Sequence, residues 1–182
     1  MIIVRYLTLL ILSALTLISC NNDPSLQRYL VDKQDDDKFL KVDVAASLLQ
    51  TDDNNMSAEE KEILNTIKKV NVVAYPIKGD DMAAYQAEKA IVNDILKNED
   101  YKTLMKMGSN NSGATLKYVG EEDAIDEVVI FASDNERGFA VFRLLGEDMR
   151  PDQMMKLMNS IDSGDLDVSA LNGIGDLFSE MN

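Results

Sequence analysis

The sequence contains no histidine, which removes the commonest general base of enzymes and the imidazole ligands of metal sites. Without histidine, the serine–histidine and cysteine–histidine pairs of nucleophilic catalysis are also excluded. The chain has neither a phosphate-binding loop nor a dinucleotide-binding fingerprint. Pairs of carboxylates remain, as in glycoside hydrolysis, but a chain with 32 acidic residues contains suitable spacings by chance. We therefore expect no catalytic residue, no bound cofactor and no metal site.

Cys20 is the only cysteine, so the chain cannot form an intrachain disulfide. Residues 1–5 form a short segment whose one charged residue is Arg5. The apolar run that follows contains no charged residue, and it is shorter than the roughly 20 residues that a membrane span needs. The run ends in Leu17-Ile18-Ser19-Cys20, which resembles the lipobox read by bacterial lipoprotein signal peptidase. We expect residues 1–19 to be removed and Cys20 to carry lipid. An ordinary secretory signal with an incidental cysteine is the alternative.

Basic residues are scarce, with 18 Lys and Arg against 32 Asp and Glu and a formal net charge of −14. The only charged residue within 1–19 is Arg5, so the processed chain is even more acidic. Such a charge repels nucleic acid and anionic lipid head groups. We expect no nucleic-acid partner and a membrane attachment through the lipid on Cys20. We interpret the acid excess as a source of solubility, and cation binding is the alternative.

One acidic segment has the outline of a calcium-binding loop. Residues 165–170, followed by Asp176, match part of the required spacing. However, Ala170 stands where the sharp turn needs glycine, and Asp176 stands where a bidentate glutamate is expected. We interpret the segment as an acidic linker and predict no calcium site.

Four methionines are close together in the sequence: Met149, Met154, Met155 and Met158. Thioethers can bind Cu(I). Met154 and Met158, however, share one face of a predicted helix, where methionine commonly fills a core. We predict core packing for these residues.

Four parts can be distinguished along the chain. Residues 1–19 form the signal peptide, 20–25 a lipidated tether, 26–162 a single domain, and 163–182 a glycine-interrupted acidic tail. We find no internal repeat and no second domain. One domain of this length can bury a sizeable core without a disulfide.

The periodicity of apolar residues predicts a mixed α+β domain. The predicted strands cover residues 39–44, 72–77, 101–107, 114–119, 128–132 and 139–145. Helices are predicted behind the capping box Ser57-Ala58-Glu59-Glu60, after Gly79-Asp80-Asp81 and from Pro151. The first helix is expected to carry Ile63, Leu64, Ile67 and Val70 as its apolar stripe. We predict a mainly antiparallel sheet with helices packed on one face, in the order β-α-β-α-β-β-β-β-α.

The core is expected to form from the late strands and the helix after Gly79. The expected core residues are Val129, Phe131, Phe139, Val141, Leu144, Ile91 and Ile95. Asp36 and Asp53 are expected in solvated loops.

The order of these features resembles a known family. The lipobox is followed by an acidic stretch, two helices around a valine-rich strand, Asp100-Tyr101-Lys102-Thr103-Leu104-Met105, paired hairpins and Leu144-Leu145-Gly146-Glu147-Asp148. This pattern is similar to the small Bacteroidetes lipoproteins classified as domain of unknown function 4252, over most of residues 25–162. The resemblance implies an envelope lipoprotein and assigns no catalytic residues.

From these observations we expect a non-catalytic interaction module, not an enzyme. Lipid on Cys20 would hold it at the outer membrane, facing the periplasm, where another envelope protein is the expected partner; cell-surface exposure is an open alternative. The alternative function is a carboxylate-based hydrolase or binder of a polysaccharide. Two close carboxylates in a concave pocket would favour the alternative, although the chain lacks the tryptophan common in glycan-binding platforms.

Overall fold

A computed structural model describes residues 24–45, 57–79, 81–109 and 111–156 of the chain. The helices are α1 (Leu26–Asp32), α2 (Ala58–Thr66) and α3 (Met82–Leu96), and a further helical segment, α4, covers residues 151–156. The strands are β1 (Leu40–Ala45), β2 (Ile67–Pro76), β3 (Lys102–Gly108), β4 (Ser112–Glu121), β5 (Ala124–Asp134) and β6 (Gly138–Met149). The predicted signal peptide, Cys20, Asp53 and the predicted tail 163–182 lie outside the described residues.

The six strands form one open antiparallel sheet in the order β1-β2-β6-β5-β4-β3. The chain leaves β2, passes through α3 to the far edge of the sheet, and returns strand by strand until β6 pairs with β2. The mixed α+β class, the single domain, the six strands and their order along the chain are confirmed. Strands β4, β5 and β6 are longer than their periodicity predicted, since pairing continues into the polar ends of the hairpins. Strand β3 has the predicted length and is shifted by one residue.

Helices cover both sides of the sheet. Val73 and Val129 lie on the side that packs against α1 and α3, here called the α3 face. Their neighbours Val72 and Val128 lie on the opposite side, which packs against α2 and is here called the α2 face. The expectation that the helices share one face is therefore wrong. Because β2 and β5 carry apolar side chains at consecutive positions, both faces of the sheet have to be buried.

Aromatic side chains form the centre of the core on the α3 face. Phe139 of β6 stacks on Tyr75 of β2, with ring centroids 5.7 Å apart. Phe39, just before β1, meets the same tyrosine edge-on at 5.0 Å. Tyr85 of α3 and Phe131 of β5 complete the cluster around Phe139. The predicted core residues Val129, Phe131, Phe139 and Val141 are all buried here, and Leu144 is partly buried on the other face.

Helix α2 begins at the predicted capping box. The Ser57 hydroxyl accepts a hydrogen bond from the Glu60 amide, and the Glu60 carboxylate accepts one from the Ser57 amide. The helix ends sooner than expected, because Ile67 and Val70 belong to β2. Both residues are β-branched, which favours a strand, and their side chains still reach the core of the α2 face.

One predicted core residue on α3 is not in the core. Ile95 is buried, whereas Ile91 is 43% exposed. Helical spacing placed both residues in one stripe, but α3 contacts the sheet along a narrower line that runs through Tyr85, Val92 and Ile95. The predicted core assignment of Ile91 is therefore wrong.

Candidate functional site

A cleft of about 410 Å³ opens on the α3 face, between α3 and the β3–β4 hairpin. Lys89 and Asn93 of α3 form one wall. Lys106 of β3, Thr115 of β4 and Phe131 of β5 form the floor. This volume is in the range of ordinary small-molecule sites, which span roughly 300–1,000 Å³.

The cleft exists because the helices on the α3 face cover only part of the sheet. The side chains that pack against α1 and α3 come mainly from β2, β5 and β6. Lys106 is paired in register with Thr115, and Thr115 with Phe131, so these three side chains point to the same face. This row of cross-strand neighbours is apolar at Phe131, where α3 packs on the sheet, and polar at Thr115 and Lys106, which α3 does not cover.

Lys89 is held in place by neutral acceptors. Its ammonium group donates to the Tyr85 hydroxyl and to Oδ1 of Asn135, each at 3.1 Å. The Tyr85 hydroxyl in turn donates to the carbonyl of Asp134 at 3.0 Å. Asn93 donates to the backbone carbonyl of Lys89, one turn earlier on the helix, at 2.8 Å. This network fixes a positive charge at the wall of the cleft.

Lys106 supplies a second positive charge. Among the described residues, its ammonium group forms no hydrogen bond or ion pair. The side chain is exposed and extends from the floor next to the edge of the sheet. It can therefore turn towards a ligand without breaking an internal contact.

No acidic side chain is among the described residues that line the cleft. Asp134 is nearby, and the charge of Lys89 contributes a little to lowering the pKa of its carboxyl group. The main cause of that lowered pKa is the backbone amide of Glu136, which donates to the carboxylate at 2.8 Å, and the Arg137 amide adds a second bond at 3.0 Å. The carboxylate of Asp134 thus caps its own turn, and the described lining of the cleft contains no pair of acids of the kind that glycoside hydrolysis uses.

The rim of the cleft is the loop between β3 and β4. Gly108 has a φ of +115°, and a Cβ there would lie 2.3 Å from the Cα of Gly113, so only glycine fits. The Ser109 amide donates to the carbonyl of Ser112 at 2.7 Å, which closes the hairpin. The predicted strands 101–107 and 114–119 imply a tight connection here, which the structure confirms, but they do not indicate that it borders a cleft.

A second polar cluster on the α3 face is buried. Arg143 of β6 forms an ion pair with Glu127 of β5, and it also donates to the side chain of Gln27. Tyr101 donates to the same glutamate at 3.4 Å. Burial, then the charge of Glu127, raises the pKa of Tyr101 to about 12, while Arg143 acts in the opposite direction. Burial also lowers the pKa of Lys117, whose ammonium group donates to the Tyr101 carbonyl.

None of the candidate sites that the sequence suggested is among the described residues that line the cleft or form the buried polar cluster. Cys20 and the calcium-like segment 165–176 lie outside the described residues. Met149 and Met154 are buried in the core of the α2 face, as predicted, and Met155 packs against it. Met158 lies outside the described residues. Within the described ranges, no three Asp, Glu, Cys or His side chains are placed to hold a metal ion, and no helix is long and apolar enough to cross a membrane.

Sequence reasoning missed Lys89 and Lys106. One signal was available. Thr115 is a polar residue that pairs with the polar Lys106, whereas alternate positions on these strands are otherwise apolar. The position of Lys89 on α3 beside these strands could not be predicted, because the periodicity of a helix does not indicate which strands it packs against.

Comparison with known proteins gives a family and no function. No curated protein and no solved structure matches the chain. One family model matches residues 29–157, which include the six described strands and every described residue that lines the cleft. The match covers more than half of the sequence, and the chain belongs to the family described as domain of unknown function (DUF4252).

Proposed function

We propose that the protein is a non-catalytic interaction module, held at the outer membrane by lipid on Cys20 and facing the periplasm. Its partner is another envelope protein, which adds an extended segment to the open edge of the sheet at β3. The observation that carries this proposal is the exposed edge strand β3. The lipid anchor is supported by the lipobox-like Leu17-Ile18-Ser19-Cys20.

The two edges of the sheet differ in how they are covered. At the β1 edge, Lys41 donates to the backbone carbonyls of Gln34 and Asp36, so the preceding loop folds against that strand. At the other edge, no described strand pairs with the outer side of β3. An unpaired edge offers a row of amides and carbonyls to an added strand.

The side chains of β3 favour a partner over a second copy of this chain. Met107 is 52% exposed, and methionine is a flexible, polarizable contact residue common on binding surfaces. Lys102 and Lys106 are also exposed on this strand. Two copies paired through β3 would bring like charges together, whereas an acidic extended segment would complement them.

Site-specific photo-crosslinking in cells tests the proposal. A photoreactive phenylalanine analogue at Met107 is expected to give a discrete adduct with one envelope protein. The matched control carries the analogue at Ile91, which is similarly exposed but lies on α3. In the Lys102→Glu background, the adduct from position 107 is expected to weaken, since the reversed charge repels an acidic segment.

The position of the crosslink decides the result. An adduct formed from 107 and not from 91, whose cross-linked peptide is an acidic extended segment, supports the proposal. Equal adducts from both positions, or an adduct with a second copy of this chain, would refute it.

A further inference from the structure

We propose that the cleft between α3 and the β3–β4 hairpin binds a small hydroxylated oxyanion, with its carboxylate or phosphate group between Lys89 and Lys106. This site lies on the α3 face beside the edge strand β3, whose Lys106 and Met107 also line the cleft. It is argued from the cleft alone and does not rest on the proposed function.

The two lysines form no direct ion pair with a carboxylate of the described residues, although the protein is strongly acidic. Lys33, Lys69 and Lys97 each lie within 4.0 Å of a carboxylate. Within the described residues, neither Lys89 nor Lys106 has such a partner. The formal net charge of the chain is −14, so acidic partners are abundant elsewhere. A cleft that gathers two cations and excludes acids from its described lining is suited to an anion.

Lys89 is already oriented for binding. An ammonium group has three donors, and two of them are used by Tyr85 and Asn135. The third remains for a ligand. Because the side chain is half-buried and fixed by two bonds, little rotational freedom is lost when an anion binds.

The rest of the lining indicates what the anion is attached to. Thr115 and Ser133 offer hydroxyl groups, and Asn93 has its amide oxygen free because its described bond uses the amide nitrogen. Phe131 contributes an apolar patch to the floor. Hydroxyl and amide groups around two ammonium groups match a compact molecule with several hydroxyls and one acid, such as an acidic sugar. The volume of about 410 Å³ accommodates a molecule of that size.

The test is a titration of the full chain, purified in detergent at low salt and followed by backbone amide chemical shifts. The probes are glucuronate and inorganic phosphate, with glucose as the neutral control. Saturable shifts are expected at Ser109, Ser112 and Ser133 with an oxyanion and not with glucose. The tighter of the two oxyanions identifies whether carboxylate or phosphate is preferred.

Three lysine variants distinguish a site from general attraction to positive charge. Lys106→Gln has no described contact to lose and is expected to weaken oxyanion binding about tenfold, the effect of losing one charged hydrogen bond. Lys89→Gln is expected to weaken it at least as much. Lys61→Gln removes the same charge from an exposed position on α2, on the opposite face of the sheet, and is expected to leave binding unchanged.

The outcomes are separable from those of the crosslinking experiment. Equal weakening by all three variants, equal shifts with glucose, or no saturable shift with either oxyanion would overturn the site. Retained oxyanion binding without a crosslink at Met107 would refute the proposed function alone. A crosslink that persists in Lys89→Gln while oxyanion binding is lost would show that the two surfaces act separately.

Discussion

Arg143 of β6 donates from Nη2 to Oε2 of Glu127 on the neighbouring strand β5 across 2.7 Å, and the two side chains are only 10% and 11% exposed. The pair lies on the α3 face, where Gln27 and Tyr101 supply further hydrogen bonds. The Nε atom of Arg143 is buried and has no partner in the described part of the chain. A buried ion pair of this kind depends on both members, because either charge alone is costly in the interior.

Replacing Glu127 by glutamine should therefore destabilise the protein strongly. The change keeps the shape of the side chain but leaves the charge of Arg143 buried without a counter-charge, at a cost of roughly 3–5 kcal/mol. Urea unfolding of the purified protein measures the loss. The double variant Glu127→Leu/Arg143→Met is expected to lose less than Glu127→Gln, since no charge remains buried. A double variant less stable than Glu127→Gln would contradict this prediction, because the unpaired charge would then not be the main cost.

Stability should decrease at alkaline pH in part through Tyr101. Its pKa of about 12 in the folded protein exceeds the value near 10 of an unfolded tyrosine. Below pH 10 both states are protonated and the contribution is fully present; between about 10 and 12 only the unfolded state loses its proton, so the unfolding free energy falls. Urea unfolding across this range should show a shallower pH dependence in Tyr101→Phe than in the wild type. Identical slopes would contradict this prediction.

Two truncations test the observed core. Phe139 is 1% exposed and contacts four aromatic rings, so Phe139→Ala should cost roughly 3–5 kcal/mol. Ile91→Ala should change stability by less than about 1 kcal/mol, because Ile91 is 43% exposed. Thermal unfolding of the two variants beside the wild type gives the comparison. A loss at Ile91 as large as that at Phe139 would mean that α3 packs along a different line.

The lipid anchor makes a prediction of its own. Cys20→Ala should abolish incorporation of labelled palmitate and leave the precursor unprocessed by lipoprotein signal peptidase. Ser19→Ala is the control, because a small residue still precedes the cysteine, and it should label normally. Undiminished labelling of Cys20→Ala would refute the anchor.

The sequence predicted the strands better than the arrangement of the helices around them. The periodicity of apolar residues marked β3 to β6, and the capping box marked the start of α2, because both signals depend on near neighbours. The end of α2 was misplaced, since Ile67 and Val70 fit either a helical stripe or a strand by spacing alone. The two-sided cover of the sheet follows from the burial of Val72 and Val73 on opposite faces, which is a property of the whole fold.

The cleft could not be predicted for the same reason. Lys89 and Lys106 are separated by 17 residues and by the crossing from α3 to the far edge of the sheet. Their convergence depends on where α3 stops covering the strands. Only the absence of histidine and of a second cysteine constrained the chemistry of the site in advance.

The position of β2 beside β6 affects how the chain can fold as it is synthesised. Val72 pairs with Phe142, 70 residues later, so the middle of the sheet closes only when the last strand is available. A chain made from its N-terminus exposes β2, which is apolar on both sides, throughout that interval. Such distant pairing slows folding, and the edge of β2 that later pairs with β6 is prone to association with other chains. A chaperone that shields residues 67–76 until β6 emerges would therefore raise the yield of folded protein more than one that acts on the β3–β4 hairpin. The two strands of that hairpin are adjacent in the sequence and can pair as soon as both have been synthesised.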